Sequence, residues 1–253
     1  MLTTADILGV RVHSGATSEI IAHLDHRLVV REVTRVAFLN AHLSNICWAN
    51  GKLRRRLEEF FVLNDGIGVE LANRLLYGQS FPENLNGTDF VPAYLEHTKF
   101  DLRLFLLGAE NSVLNKAAKV IEQRWPRHTI VGTHHGYFDD TEAPLVRESV
   151  EHARPDLVLV GLSSPGQELW IANNIPDVGS HAEAVGALFD FMAEAVPRAP
   201  IWVRRIHGEW AFRLFREPRR LARRYLLGNP VFLARIAMAR LRLNAAASYD
   251  GVG

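Results

Sequence analysis

The chain alternates short apolar runs with stretches in which apolar residues recur at helical spacing. The short runs predict seven β-strands: Ile7–Val12, Val36–Leu39, Phe60–Leu63, Leu102–Leu107, Thr129–Val131, Leu157–Val160 and Ala184–Ala187. The stretches between them predict α-helices: Ser18–His26, Leu53–Phe60, Val69–Tyr77, Phe90–Thr98, Ser112–Arg124 and Ala143–His152. Such alternation is typical of an α/β fold. We therefore predict a Rossmann-like, mostly parallel sheet flanked by helices.

From Trp202 onward the pattern is helical and basic, so the chain divides into two parts. We predict a catalytic body at residues 1–200 and a C-terminal segment at residues 201–253 that forms an arginine-rich helical appendage. Proline and glycine break the second part at Pro218 and at Gly228-Asn229-Pro230, which predicts two or three short helices.

Composition narrows the class of protein. The 253 residues are 48% hydrophobic, which excludes a disordered chain, and Cys47 is the only cysteine, which excludes a disulfide scaffold and a cysteine-based zinc site. The start of the chain lacks a signal-peptide pattern, and no stretch reaches the roughly 18 apolar residues of a membrane-spanning helix. We expect a cytoplasmic protein that attaches to a membrane only from the side.

The net charge of +1 conceals an uneven distribution. Eleven arginines and two glutamates lie between Arg204 and Arg242, a charge of +9, whereas residues 1–203 carry −7. Five of these arginines recur at helical spacing among aromatic residues: Arg213, Arg216, Arg220, Arg223 and Arg224. This pattern suits an anionic membrane surface or diphosphate groups. A nucleic acid and a merely solvated basic face are the alternatives.

Asp65 stands where a predicted strand ends, just before Gly66. Ligands of such sheets bind at the carboxyl ends of the strands, so the carboxylate is a candidate general base; capping the next helix is the alternative. The run Gly66–Ala72 mimics a dinucleotide fingerprint, but Asp65 would repel a pyrophosphate there. A nicotinamide-dependent oxidoreductase is therefore only an alternative interpretation.

Other candidates follow later strands. Gly66 after the third predicted strand, and Gly108, Gly136 and Gly161 after later strands, could bring backbone amides close to a ligand or simply make turns. Tyr137 could stack on a base or sugar, and Gln167 with Glu168 could bind sugar hydroxyls or merely begin a helix. His134 and His135 point to opposite sides of an extended chain, and the sequence has no Asp-x-Asp, so we expect no metal and no cofactor.

An ordered set of short motifs resembles the WecG/TagA/CpsF bacterial glycosyltransferases over roughly residues 5–235. The matching pieces include Asn40, Asn64-Asp65-Gly66-Ile67-Gly68, Arg74, Gly87-Thr88-Asp89-Phe90, Pro155-Asp156-Leu157, Pro165 with Gln167-Glu168, Phe189-Asp190-Phe191, Arg198-Ala199-Pro200, Glu209-Trp210 and Arg223-Arg224-Tyr225-Leu226. The chain departs from that family at Asn84, Gly166 and Ala187, where the family often has arginine, lysine and glycine.

The resemblance implies an inverting transfer from a UDP-sugar to a polyprenyl-diphosphate-linked saccharide, in surface polysaccharide or teichoic acid linkage-unit synthesis. The sugar would be N-acetylmannosamine, its uronic acid, or glucose. Asp65 would be the base, the arginine-rich segment would meet the diphosphate and the inner membrane face, and further residues would line the pocket: Asn40, Arg74, Asp89, Gln167 and Asp190. A non-enzymatic module whose basic segment binds nucleic acid stays an alternative, although we expect no nucleic acid partner, and a homo-oligomer is left open.

Overall fold

The computed structural model describes residues 2–178, 181–200, 202–203 and 208–250; Arg204 and Arg205 of the basic segment lie outside these ranges. Eight strands form one sheet: β1 (Thr3–Ile7), β2 (Val10–Ser14), β3 (Arg35–Leu39), β4 (Phe61–Asn64), β5 (Arg103–Gly108), β6 (Thr129–His134), β7 (Leu157–Gly161) and β8 (His181–Ala184). Their order is β1-β2-β4-β3-β8-β7-β5-β6, and only β1 runs antiparallel to its neighbour. The predicted α/β fold is confirmed.

Helices cover both faces of the sheet. In the body they are α1 (Thr17–Val29), α2 (Ala41–Ala49), α3 (Gly51–Arg56), a 3-10 turn (Leu57–Glu59), α4 (Ile67–Tyr77), α5 (Gly87–His97), α6 (Asn111–Arg124), α7 (Ala143–Ala153), α8 (Gly166–Val178) and α9 (Leu188–Met192). The C-terminal segment contains α10 (Glu209–Arg216), α11 (Pro218–Ala222), a π-helical turn (Arg223–Leu227) and α12 (Gly228–Asp250).

The first predicted strand is wrong in its extent. The run Ile7–Val12 bends at Leu8 and Gly9, whose φ angles are 55° and 85°, and so joins β1 to β2 as a hairpin. Two consecutive residues with positive φ are the mark of a two-residue hairpin turn that matches strand twist. The last predicted strand is also displaced, because the paired residues are His181–Ala184 rather than Ala184–Ala187.

Each face of the sheet has its own hydrophobic core. One core joins Leu43 of α2, Val69 of α4 and Ile171 of α8 to alternate strand residues, and it includes Cys47. The other joins residues of α1, α5, α6 and α9 to the opposite strand face. Burial raises the pKa of the Cys47 thiol to about 12, so this cysteine acts as a packing residue.

The C-terminal segment differs from the predicted set of short helices. Helix α12 is 23 residues long and packs against α2 and α4, where Phe232 and Ile236 are buried in the first core. Helical backbone continues from α11 through the π-helical turn into α12, since Gly228 has a φ of −65° and a ψ of −42°. The break predicted at Gly228-Asn229-Pro230 is therefore wrong, and a π-helical turn precedes these residues instead. No helix within the described part of the chain is long and apolar enough to cross a membrane.

Candidate active site

Asn40 and Asp65 follow neighbouring parallel strands and meet at the carboxyl edge of the sheet. Asn40 caps α2, since its Oδ1 accepts hydrogen bonds from the backbone N–H groups of His42 and Leu43, both at 3.1 Å. Its Nδ2 donates to Oδ2 of Asp65 at 3.0 Å. The cap fixes the Asn40 amide, and the amide in turn orients the Asp65 carboxylate.

The surroundings of Asp65 suit a base. Burial raises the pKa of its carboxyl above the usual range, while the Asn40 hydrogen bond and the charges of Arg224 and Arg213 oppose that rise. A higher pKa makes a carboxylate a stronger proton acceptor, provided that it is ionised at the working pH. The side chain remains half-buried, so a substrate hydroxyl can reach it.

The chain turns sharply after Asp65. Gly66 has a φ of 84°, in the region that favours glycine, and a Cβ there would meet no atom within 4 Å. Its N–H donates to Oδ1 of Asn84 at 2.8 Å. Asn84 therefore stabilises the turn. The family resemblance had marked Asn84 only as a departure from a common arginine and did not indicate this role. That Gly66 contacts a ligand stays a prediction, and its backbone N–H already has a partner.

Two of the five predicted arginines, Arg213 and Arg224, lie close enough to Asp65 for their charges to lower its pKa, and a third, Arg220, acts on Asp190 instead. Burial chiefly lowers the pKa of Arg224, while Asp65 acts in the opposite direction. Arg213 lies 5.3 Å from the ring centre of Phe191. Arg220 pairs with Glu217 at 2.5 Å and, with Arg213, opposes the burial that raises the pKa of Asp190.

The guanidinium groups of Arg213 and Arg224 are not fully satisfied. The buried Nε atoms of both have no hydrogen-bond partner among the described residues. A buried N–H donor without an acceptor is costly, and a phosphate oxygen is the acceptor that guanidinium groups bind best. Arg216 and Arg223, by contrast, are exposed to solvent. The structure thus separates Arg213 and Arg224, which act on Asp65, from the exposed members of the predicted set, which are Arg216, Arg220 and Arg223.

Two functional candidates near the arginines were missed at the sequence level. Arg198 donates to Oδ1 of Asp89 at 2.8 Å and lies 3.9 Å from Glu209, which links helix α5 to helix α10. His42, on the first turn of α2, has a pKa lowered by burial and secondarily by Arg224. The Arg198-Ala199-Pro200 motif was a signal for the first residue, whereas nothing in the sequence distinguished His42.

Gln167 and Glu168 lie inside the protein. Oε1 of Gln167 accepts from the backbone N–H of Gly186 at 3.0 Å, and its Nε2 donates to Oε1 of Glu168 at 2.9 Å. Burial raises the pKa of Glu168, which also accepts from the Ser164 hydroxyl at 2.9 Å. These hydrogen bonds connect the loop after β8 to the start of α8. A role of Gln167 and Glu168 in sugar binding stays a prediction.

Gly108, Gly136 and Gly161 pack against one another. Gly108 has a φ of 137°, and a Cβ there would lie 2.3 Å from the carbonyl oxygen of Gly161. A Cβ at Gly136 would lie 3.0 Å from Cα of Gly108. The side-chain-free backbone is therefore needed for contact between strand ends, and the expectation that these amides approach a diphosphate stays a prediction.

Tyr137 and Arg74 are remote from Asp65. Tyr137 is 70% exposed and, with Glu110, Asn111 and His135, borders a cavity of about 430 Å³ beyond β5 and β6. Strand β5 is four places from β4 in the sheet, or roughly 19 Å at the usual strand spacing. Arg74 binds Glu70 at 2.6 Å and the Ser80 hydroxyl at 2.9 Å. Neither contacts the pair formed by Asn40 and Asp65.

A metal site was not expected, and that expectation stays a prediction. Within the ranges that the structure describes, no three or more His, Cys, Asp and Glu residues come together as metal ligands. The donors that do converge on the site are guanidinium groups, which bind anions rather than cations.

The site thus consists of an aspartate at a strand end, oriented by asparagine, with two arginines close enough for their charges to act on it. The chain belongs to the glycosyl transferase WecG/TagA/CpsF family, whose model matches residues 5–246, which confirms the resemblance. Membership makes the protein a glycosyltransferase rather than an oxidoreductase or a nucleic-acid-binding module.

Two curated relatives come from Staphylococcus aureus. A protein of strain MW2, named N-acetylglucosaminyldiphosphoundecaprenol N-acetyl-beta-D-mannosaminyltransferase, is 30% identical over 192 residues, which cover 74% of this chain and 72% of the relative. A protein of the same name from strain MRSA252 is 31% identical over the same share of each chain.

Proposed function

We propose that this glycosyltransferase moves N-acetylmannosamine from a UDP-sugar to a polyprenyl-diphosphate-linked N-acetylglucosamine, with inversion at the anomeric carbon. The acceptor and the sugar follow the names of the relatives. N-acetylmannosaminuronic acid and glucose are the other donors that family resemblance suggests. The observation that carries the proposal is Asp65, which is oriented by Asn40 and lies within range of the charges of Arg213 and Arg224.

In this mechanism Asp65 accepts the proton of the acceptor hydroxyl. The hydroxyl oxygen forms a bond to the anomeric carbon from the face opposite UDP, and the bond from that carbon to the diphosphate oxygen breaks. The electron pair leaves with UDP, whose negative charge needs stabilisation. The unsatisfied guanidinium N–H groups of Arg213 and Arg224 suit this task without a metal ion.

We propose that the two parts of the chain have different roles in the reaction. Residues 1–200 would supply the base and its supports, and residues 201–253 would supply arginines that cover the site. Exposed Arg216 and Arg223 would face the anionic inner surface of the cytoplasmic membrane, where the acceptor lipid resides. The pathway would be surface polysaccharide or teichoic acid linkage-unit synthesis, and a homo-oligomer is compatible with this scheme.

The direct test is transfer by the purified full-length protein. The protein would be incubated with polyprenyl-diphosphate-linked N-acetylglucosamine and one donor at a time: UDP-N-acetylmannosamine, its uronic acid or UDP-glucose. Mass spectrometry would identify the product of each reaction. We expect a disaccharide lipid from UDP-N-acetylmannosamine alone. Its NMR spectrum should show that the anomeric configuration is inverted relative to the donor. Failure of all three donors, or retention of configuration, would contradict the proposal.

A further inference from the structure

Helices α4 and α12 run side by side, in the same direction, away from the site. At the site end, a Cβ on Gly68 would lie 3.8 Å from the ring of Phe232. Eight residues further along each helix, Arg240 donates to the backbone carbonyl of Leu76 at 2.7 Å. The shared length is therefore about 12 Å, at 1.5 Å per residue.

The outer surface of this helix pair is apolar and exposed. On α4, Leu71 and Leu75 follow Gly68 at spacings of three and four residues, so they share the side that faces α12. On α12, Leu233 and Ala237 share the side of Arg240, which reaches α4. We call this surface the α4–α12 strip, and it consists of Ile67, Leu71, Leu75, Leu233, Ala237 and Leu241. Its five large side chains are between 37% and 68% exposed.

The strip begins at the catalytic groups. Asp65 lies two residues before Ile67, the first residue of α4, and Arg224 lies four residues before Gly228, the first residue of α12. No acidic residue occurs between Pro218 and Tyr249. On α4, Glu70 is held on the other side of the helix by Arg74 and by the backbone N–H of Phe81. An anion-binding head thus adjoins an apolar track on which α12 carries no acidic side chain.

We propose that the α4–α12 strip binds the first isoprene units of the acceptor lipid. This inference rests on the proposed function, because it assigns the lipid part of the same substrate. A polyprenyl diphosphate joins an anionic head directly to a single apolar chain, which matches the order of features along the two helices. Exposed leucines in a row otherwise cost solubility, and a bound chain would remove them from water.

The test uses a farnesyl diphosphate analogue with a benzophenone at the end of its chain. After irradiation of the full-length protein, digestion and mass spectrometry would locate the attached label. We expect label on α4 and α12, and we expect unlabelled farnesyl diphosphate to displace it. Label spread over other helices would overturn the proposal, as would displacement by phosphatidylglycerol vesicles without polyprenyl lipid, which would indicate a bilayer-docking face instead.

Paired variants sharpen the result. The double variant Leu71→Gln/Leu75→Gln should need about ten times more probe for half-maximal labelling, because two apolar contacts are lost. Leu145→Gln is the matched control, an exposed leucine on α7 against the far edge of the sheet, and should label as the wild type does. Equal thermal unfolding midpoints would show that both variants fold, and unchanged labelling of the double variant would overturn the proposal.

Labelling requires no sugar transfer, so the two proposals can fail separately. A protein that labels on the strip but transfers no N-acetylmannosamine would retain the lipid site and lose the proposed reaction. The opposite result is equal sugar transfer to the farnesyl-linked acceptor by the wild type and the double variant, with no label on the strip. It would support the proposed reaction and overturn lipid binding by the strip.

Discussion

The two halves of the sheet's carboxyl edge look alike in sequence and differ in structure. After β4, the glycine at position 66 faces open space, and the aspartate beside it is half-buried and within reach of a substrate. After β5 and β7, Gly108 and Gly161 touch each other, and Gln167 is turned into the protein. Glycine permits open access in the first half and close backbone packing in the second. Chemistry is therefore expected at the β3–β4 half, and rigidity at the other.

The largest effect should come from Asp65→Asn. Amide cannot accept the proton of the acceptor hydroxyl, so we expect kcat to fall by about 10² to 10⁴-fold, the usual contribution of a positioned base. The measurement is the initial rate of sugar transfer with donor and acceptor saturating. An unchanged thermal unfolding midpoint would be the control, and a normal rate in the folded variant would remove Asp65 from the mechanism.

A methyl group in the packed half should act on stability. Gly108→Ala places a Cβ 2.3 Å from a backbone oxygen at a φ of 137°, so the free energy of unfolding should fall by about 2–4 kcal/mol in urea titrations. Gly166→Ala is the matched control, since a Cβ there meets nothing within 4 Å, and it should change stability by less than about 1 kcal/mol. Equal stability of the two variants would mean that the β5–β7 half is not packed as described.

Neighbouring arginines offer a finer comparison. Arg224→Ala removes a guanidinium whose Nε is buried and whose charge acts on Asp65, and kcat/KM should fall roughly 10- to 100-fold, as for loss of a charged hydrogen bond. Arg223→Ala removes an exposed one and should change kcat/KM less than about twofold in detergent solution. Transfer assays on both variants give the ratio of their kcat/KM values. Similar losses in the two variants would show that Arg224 has no greater role in transfer than Arg223.

The smallest effect should be a shift in pH dependence. Asn40 holds the pKa of Asp65 down by donating a hydrogen bond, so Asn40→Ala should raise that pKa further and move the acidic limb of kcat/KM to higher pH. Asn50→Ala removes an equivalent helix cap, with the same two 3.1 Å bonds, but on α3. It should cost about 1 kcal/mol of stability without moving the pH profile. If the pH profile of Asn50→Ala shifted as well, the shift in Asn40→Ala would result from the lost helix cap rather than from the lost hydrogen bond to Asp65.

Local pattern was sufficient for most of the fold. The apolar runs around Val36, Leu104 and Leu157 form parallel strands as predicted, because buried strands need continuous apolar residues. The errors occur where non-local pairing decides. A turn at Leu8-Gly9 divides the first run, and the strand around Ala182 is defined by its pairing with β3 and β7 rather than by its own short sequence.

The candidate site was predictable only in part. Asp65 could be proposed because a carboxylate at a strand end faces the binding edge of such a sheet. Its support by Asn40 joins residues 25 positions apart, and the contact of Arg198 with Asp89 spans 109 positions. Asn84 offered no distinguishing spacing, and its hydrogen bond to Gly66 arises only when the loop folds back over the strand end.

By itself, the sequence determined the α/β class, the family, the candidate base and the concentration of arginines near the C-terminus. These properties follow from local periodicity, from short motifs in order and from composition. The tertiary structure decided which arginines act on Asp65, which glycines serve packing, and that α12 lies along α4 with an apolar surface. These properties depend on the direction of each side chain and on contacts between distant segments, which one-dimensional spacing does not specify.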